Sequence, residues 1–148
     1  MTSEHLLHTI PPIYDRNSKI LILGSFPSVK SREVSFYYGH PQNRFWRVLA
    51  AVLGCAVPSS NEEKTALLQS HNIALWDVIK SCDIVGSSDS SIKNVVPNDI
   101  GVILSSCGIR QIYSNGKTSE KLFNKYIKDT VGRDTVALPS TSPAQCVI

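Results

Sequence analysis

The residues best suited to chemistry fall in one run, Tyr37-Tyr38-Gly39-His40-Pro41-Gln42-Asn43-Arg44-Phe45-Trp46. Two tyrosines offer a surface on which a flat ring can stack, and His40-Pro41 sets a turn. Asn43 falls where a helix begins, bringing an amide oxygen and amide protons to the positive end of a helix dipole. Taken alone, Asn43 reads more simply as the cap of its own helix, and Phe45 and Trp46 read as core. A second segment, Gly24-Ser25-Phe26-Pro27-Ser28, joins a glycine that lets backbone approach a ligand to a proline, two hydroxyls and an aromatic ring. Phe26 could lie over a planar ligand there, and an ordinary strand-to-loop turn explains the segment equally well. It has neither the G-x-x-x-x-G-K of a P-loop nor the G-x-G-x-x-G of dinucleotide binding. Asn115-Gly116-Lys117-Thr118-Ser119 suits either a phosphate at a helix N-terminus or a turn capped by Thr118 or Ser119. Lys30, Arg32, Arg44 and Arg47 flank the first two segments, as phosphate contacts or as solvated surface charges.

These segments need a scaffold, and the hydrophobic pattern supplies one. Lys19 to Gly24 is a continuous apolar run of the kind buried on both faces in a parallel sheet. Further strands are predicted over Ile73 to Ile79, Arg110 to Ser114 and Thr135 to Leu138. Helical spacing of Phe45, Val48, Leu49 and Val52 predicts a helix from Asn43 to Leu53, closed by Gly54. Ser60-x-x-Glu63 opens another as a capping box. Two more are predicted, one burying Ile100, Ile103, Leu104 and Cys107, the other running from Lys117 to Asp129. Lys121, Lys125 and Lys128 on the latter read as a wet face. The polar stretch Lys80 to Asn98 is read as a long loop, and such loops usually carry function or move. The pattern predicts a three-layer α/β/α sandwich around a short, mainly parallel four-stranded sheet. In open α/β sheets ligands bind beyond the carboxyl ends of the strands. One rim therefore collects Gly24 to Ser28, Trp76-Asp77, Asn115 to Lys117, and Pro139-Ser140-Thr141-Ser142-Pro143.

With 148 residues, 42% apolar and 18% charged, the chain has the composition of one globular domain. A net charge of +3 is compatible with nucleic acid without arguing for it alone. Cys55, Cys82, Cys107 and Cys146 form no C-x-x-C pair and read as reduced, mostly buried thiols. His5, His8 and His71 show no partner pattern, so metal binding is not expected of them. No signal peptide and no membrane-length apolar run is visible.

His40-Pro41-Gln42-Asn43-Arg44-Phe45-Trp46 resembles the H-P-x-N-R-F-W signature of the mismatch-specific branch of the uracil-DNA glycosylase superfamily. With Gly-Ser-Phe-Pro-Ser ahead and Ser-Thr-Ser-Pro-Ala near the end, the chain looks most like the hypoxanthine-DNA glycosylase family of that superfamily. Trp76-Asp77-Val78-Ile79 and Asp89 to Pro97 also look like that family, and the resemblance runs from residue 19 to residue 145. Most superfamily members place a catalytic Asp or Asn third in the first motif, where this chain has Phe26. In the hypoxanthine family the catalytic role is assigned to the asparagine that matches Asn43. Tyr38 matches the aromatic that stacks on the flipped base. Ser140 to Pro143 matches the loop that enters the minor groove, holds phosphate and supports the opened stack.

The resemblance implies a single domain over residues 1–148 that hydrolyses the N-glycosidic bond of a deaminated base in DNA, foremost hypoxanthine, with uracil or xanthine as alternatives. Asn43 is the expected catalytic residue. Gly24, Ser25, Phe26, Pro27 and Tyr38 are expected at the base. Ser28, Lys30, Arg44, Asn115, Lys117, Ser140, Thr141, Ser142 and Pro143 are expected at DNA. No metal, metal cluster or cofactor is expected, nor a lysine Schiff base. The expected partner is double- or single-stranded DNA carrying the deaminated base. A cytoplasmic monomer is anticipated, nucleoid-associated if the source is prokaryotic. Relatives continue past Ser-Thr-Ser-Pro-Ala into a C-terminal helix, which this chain is expected to lack. The rival readings are a non-catalytic DNA- or nucleotide-binding α/β module and a hydrolase of free nucleosides.

Overall fold

A computed structural model describes residues 2–143. Cys146 and the expected lack of a C-terminal helix fall outside the described residues. In chain order the elements are β1 (Glu4–Leu7), β2 (Ile20–Gly24), α1 (Val29–Val34), α2 (Phe45–Leu53), α3 (Asn61–Ser70), β3 (Ile73–Asp77), β4 (Ile79–Ile84), β5 (Lys93–Pro97), α4 (Gly101–Ser106), β6 (Gln111–Asn115), α5 (Lys117–Tyr126), α6 (Lys128–Val131) and β7 (Val136–Leu138). The main sheet has the order β3-β2-β6-β7 and every pairing in it is parallel.

Alternation along β2 explains the layers. Leu21 and Leu23 pack with Ile100, Ile103, Phe123 and Ile127 from α4, α5 and the turn after α5. Ile22 and Ile20 point the other way, against Phe45, Trp46 and Leu68 of α2 and α3. Both faces of the sheet are thus covered, giving the expected three-layer α/β/α sandwich. After β2 the chain continues to β3 on one side and after β6 to β7 on the other, so the crevice at the carboxyl ends of β2 and β6 is a topological switch point. Among the described residues no helix is long and apolar enough to cross a membrane.

Four sequence expectations are corrected. The stretch from Lys80 to Asn98 is not an irregular loop. It contributes most of β4 and all of β5, which form with β1 a second, antiparallel sheet in the order β1-β4-β5. Its polar residues pair across strands: Asp83 binds His5 Nδ1 at 2.8 Å on one side and accepts from Asn94 Nδ2 at 2.6 Å on the other. Those two partners, Asn94 first, hold the Asp83 carboxyl below its ordinary range. Secondly, α1 was not anticipated. It is capped by Ser28, whose Oγ accepts from Ser31 N at 3.1 Å. Thirdly, α2 buries only part of the stripe its spacing suggested: Phe45 is buried and Leu49 packs against the core, as expected, but Val48 and Val52 are 47% and 76% exposed, and Trp46 and Ala50 are buried beside Phe45. Trp46 decides the difference, because its Nε1 donates to Tyr37 O at 3.1 Å inside the core. Fourthly, the cysteines differ in burial, Cys82 being buried and Cys55 exposed.

Candidate active site

Strand register sets the floor of the main cavity. Gly24 of β2 is paired with Asp77 of β3, and Asn115 of β6 lies one step beyond Ser114, the partner of Leu23. Three strand ends therefore bring a glycine, a carboxylate and an amide to one row. The cavity above them has a volume of about 110 Å³, of the order of the ~150 Å³ that admits one flat ring. Gly24 is required there by close approach: a Cβ on it would stand 2.4 Å from Asp77 Oδ1 and 3.0 Å from the Tyr38 hydroxyl.

Asn43 forms part of the wall, in the turn that enters α2. Its Oδ1 accepts from Phe45 N at 2.9 Å. That bond satisfies the N–H of the first helical residue from one position ahead of the N-cap, Arg44, which has no side-chain cap bond, and it fixes the amide, since only the oxygen can accept from an N–H. Nδ2 is left without a hydrogen-bond partner among the described residues, and one lone pair of Oδ1 remains open. One side chain serves both the helix start and the cavity, so the two sequence readings of Asn43 do not compete.

Tyr38 lies beside it in the left-handed backbone region, with φ of 54°. Its ring stacks on Phe45 at 4.0 Å and 17°, which occupies one face. The hydroxyl is buried without a hydrogen-bond partner. Burial first, and the Asp77 carboxylate second, push its phenol far above the ordinary tyrosine range; the Asn115 side chain pulls the other way without a hydrogen bond of good geometry. Phe26 also lines the cavity, but its face carries the Arg32 guanidinium at 5.7 Å. Arg32 in turn donates to Pro27 O at 2.8 Å and to Gly86 O at 3.3 Å. It is a brace for the first motif.

The second motif closes the opposite side. Asn115 Nδ2 donates to Thr141 Oγ1 at 3.0 Å, and Thr141 N donates back to Asn115 Oδ1 at 3.2 Å. Arg44 adds two more bonds to the same loop, from its backbone N to Thr141 O at 3.0 Å and from Nη2 to Ser140 O at 3.2 Å. Ser140, Thr141 and Ser142 therefore line the cavity as a held loop.

A family model described as the uracil DNA glycosylase superfamily matches residues 11–147. The chain belongs to that superfamily. A hypoxanthine DNA glycosylase of Methanosarcina barkeri is 35% identical over 136 residues, covering 90% of this chain and 85% of the relative. One from Methanosarcina acetivorans is 36% identical over the same length and coverage. The solution NMR structure of a proposed uracil DNA glycosylase from Methanosarcina acetivorans superposes with a TM-score of 0.79 at 35% identity, covering 91% of this chain and 84% of that one.

On this superfamily scaffold most of the singled-out residues meet at one place: Gly24, Ser25, Phe26, Pro27, Ser28, Tyr38, Asn43, Asn115 and Ser140 to Ser142 all line the cavity. Lys117 lies next to it, lining a second hollow with Gly116 and Ser140. Lys30 stands apart, exposed on α1 and 3.7 Å from Glu33. Pro143 and Arg44 are not in the cavity wall. Sequence reasoning put Asp77 on the rim without naming it among the site residues, and set His8, whose Nε2 lies 2.8 Å from Asp77 Oδ2, aside as a histidine without a partner. Asp77 had one signal, a carboxylate ending a wholly apolar strand. His8 had none, because its partner is 69 residues away.

Proposed function

We propose that this protein is a monofunctional DNA glycosylase that flips a deaminated base, foremost hypoxanthine, into the cavity at the end of β2 and hydrolyses its N-glycosidic bond. The observation that carries the reading is Asn43, an amide immobilised on the cavity wall by the Phe45 N–H with its own N–H donors unspent. The two curated relatives bear the same activity in their names.

A base inside a duplex is out of reach, so the nucleotide must turn out of the stack into the pocket. Tyr38, with one face packed on Phe45, offers its other face to the base. As the bond to C1′ lengthens, the sugar takes on oxocarbenium character and the base gathers negative charge. Asn43 then has two uses: its N–H donors polarise the departing base, and its open lone pair holds the water that adds to C1′. A fixed donor costs no reorganisation when charge develops, which is the source of its catalytic worth. Phe26 stands where most of the superfamily has an acid or amide, so the work falls to Asn43. The nucleophile is water, and no lysine adduct is needed. The loop Ser140 to Pro143 supports the opened duplex, with Ser28, Lys30 and Lys117 near phosphates; Asn115 and Arg44 act mainly by bracing the loop.

The test is incubation with duplexes carrying one hypoxanthine, uracil or xanthine, followed by alkali to reveal abasic sites. Strand cleavage that requires both alkali and Asn43 is the expected result. Folded protein that binds DNA yet makes no abasic site from any of the three would leave a binding module instead.

A further inference from the structure

A groove of about 930 Å³ opens beside the cavity, and the function proposed above gives it no task. One wall is β5 with the segment before it, and the other is α5. Ser87, Asp89 and Ser142 line both groove and cavity, so the two hollows are continuous. Lys93 of β5 faces Lys121 and Lys125 of α5 across the groove, and Asp89 at the cavity end is the one carboxylate among the lining residues. None of these three lysines makes an ion pair among the described residues, whereas Lys128 just past α5 is 3.1 Å from Asp134. Asp83, opposite Lys93 in the register of β4 and β5, is engaged by His5 and Asn94. Lys125 is held over the Tyr126 ring at 5.2 Å.

The row along α5 is unfavourable for the helix itself. Lys117, Lys121 and Lys125 are exposed and recur at every fourth position, so they share one face, and like charges at that spacing weaken a helix. Lys117 also opens the helix, at the positive end of its dipole. An anion laid along the row removes both penalties. The row is about 12 Å long at ~1.5 Å per residue, the stacked rise of roughly three nucleotides at ~3.4 Å each in one strand. Its direction decides which form of DNA fits. Strands β6 and β7 are parallel and α5 joins them, so α5 runs back from the strand ends that floor the cavity. Lys117 therefore stands at the rim and Lys125 well down the side. A duplex is stiff over this length, and one lying across the strand ends would leave Lys121 and Lys125 behind. A single strand bends freely enough to follow them.

We propose that this groove holds a single-stranded flank of the damaged DNA strand. The damaged nucleotide enters the cavity, and the backbone next to it runs down α5 with its phosphates between Lys121 and Lys125 on one wall and Lys93 on the other. Asp89 disfavours a phosphate at the mouth, where sugar and base turn into the cavity. The inference rests on the glycosylase reading and deepens it by naming the form of DNA, a damaged base at a junction between duplex and single strand. Lys121 and Lys125, expected from the sequence to be a solvated face, are then a binding face. Lys128 is left out because Asp134 already neutralises it.

The experiment measures affinity by fluorescence anisotropy for DNA holding one tetrahydrofuran abasic site. The complement is either complete or removed from the second nucleotide onward, on the 5′ or the 3′ side of the site. Native protein is compared with the triple variant Lys93→Gln, Lys121→Gln, Lys125→Gln, with Lys121→Gln alone as a milder change and Lys128→Gln as the control. Single-turnover excision of hypoxanthine at saturating, fully paired DNA is recorded for each. We expect native protein to bind one of the two junctions roughly tenfold or more tightly than full duplex at low salt. The triple variant should lose that preference, and its slope of log affinity against log salt on the junction should fall by roughly 2, at ~0.7 per phosphate contact on a single strand. Its excision rate should be unchanged, Lys121→Gln should carry part of the loss, and Lys128→Gln should match native protein throughout. The inference is overturned if the triple variant binds the junction as native protein does. It is equally overturned if the variant loses as much on full duplex, since the row would then be a duplex contact. Native protein inert on hypoxanthine, uracil and xanthine, with its junction preference intact, would sink the glycosylase reading and leave the groove assignment standing.

Discussion

Asn115 and Thr141 exchange two hydrogen bonds, side chain to side chain at 3.0 Å and backbone to side chain at 3.2 Å. This fastens the second-motif loop to the end of β6, on the row that also holds Gly24 and Asp77. A loop that must hold an opened duplex gains from having its shape set before binding, because ordering it later would subtract from affinity.

Asn115→Ala breaks both bonds and leaves the Thr141 N–H and hydroxyl to find other partners. We expect a loss of roughly 1–3 kcal/mol in stability, read by urea denaturation, and weaker binding to an abasic-site duplex. Thr141→Ala keeps the backbone bond and should lose less on both counts. Equal effects from the two variants would show that the side-chain bond, not the pair, matters.

Asn43 combines a bond to the helix start with a donor, and two substitutions separate them. Asn43→Ala should lower excision by roughly 10²–10³-fold and stability by about 1 kcal/mol. Asn43→Asp keeps an acceptor for Phe45 N and adds charge favoured at a helix N-terminus. Its melting temperature should match the native value while excision stays as low as in the alanine variant. Full activity in Asn43→Asp would exclude the N–H donors from the reaction.

Gly24→Ala places a methyl 2.4 Å from Asp77 Oδ1. Asp77 cannot retreat without breaking its bond to His8, so backbone or pair must shift. We expect a loss of about 1–3 kcal/mol, as for overpacked cores, with base excision falling further than abasic-site binding. Measuring excision and binding on the same preparation checks the order of the two effects.

Tyr37 and Tyr38 give the protein an alkaline limit. Burial first and Asp77 second raise both phenols well above the ordinary range near 10. A group whose folded value is raised contributes its full stability below the unfolded value and loses it as pH climbs toward the folded one. Stability should therefore fall from about pH 10 upward, with phenolate absorbance of these two rings appearing only as the protein unfolds. Urea midpoints at stepped pH with absorbance recorded together test this. Phenolate signal from all tyrosines ahead of unfolding would refute it. Tyr38→Phe, which removes a buried hydroxyl without a partner, should leave stability at neutral pH unchanged or slightly higher.

The sequence by itself determined the parts whose causes are local. The apolar run into Gly24, the helical spacing after Lys117, the capping box at Ser60 and the tight motif from His40 to Trp46 each carry their signal within a few residues. Because parallel strands present their carboxyl ends together, placing motifs after strands was enough to gather Gly24, Asp77, Asn115 and Ser140 at one cavity, whereas Tyr38 and Asn43, which follow α1, were expected there only from the family resemblance. Tertiary structure decided what depends on distant partners. Lys80 to Asn98 became sheet because β1, at the other end of the chain, offered a strand to pair with. Helix α2 turned Val48 and Val52 outward because Trp46 found the Tyr37 carbonyl in the core. His8 reached Asp77 only through the pairing of β1 with β4, and no short-range pattern encodes a bond across 69 residues. Periodicity reports which face of an element is apolar; only the packed fold reports what that face, or a lone polar side chain, will meet.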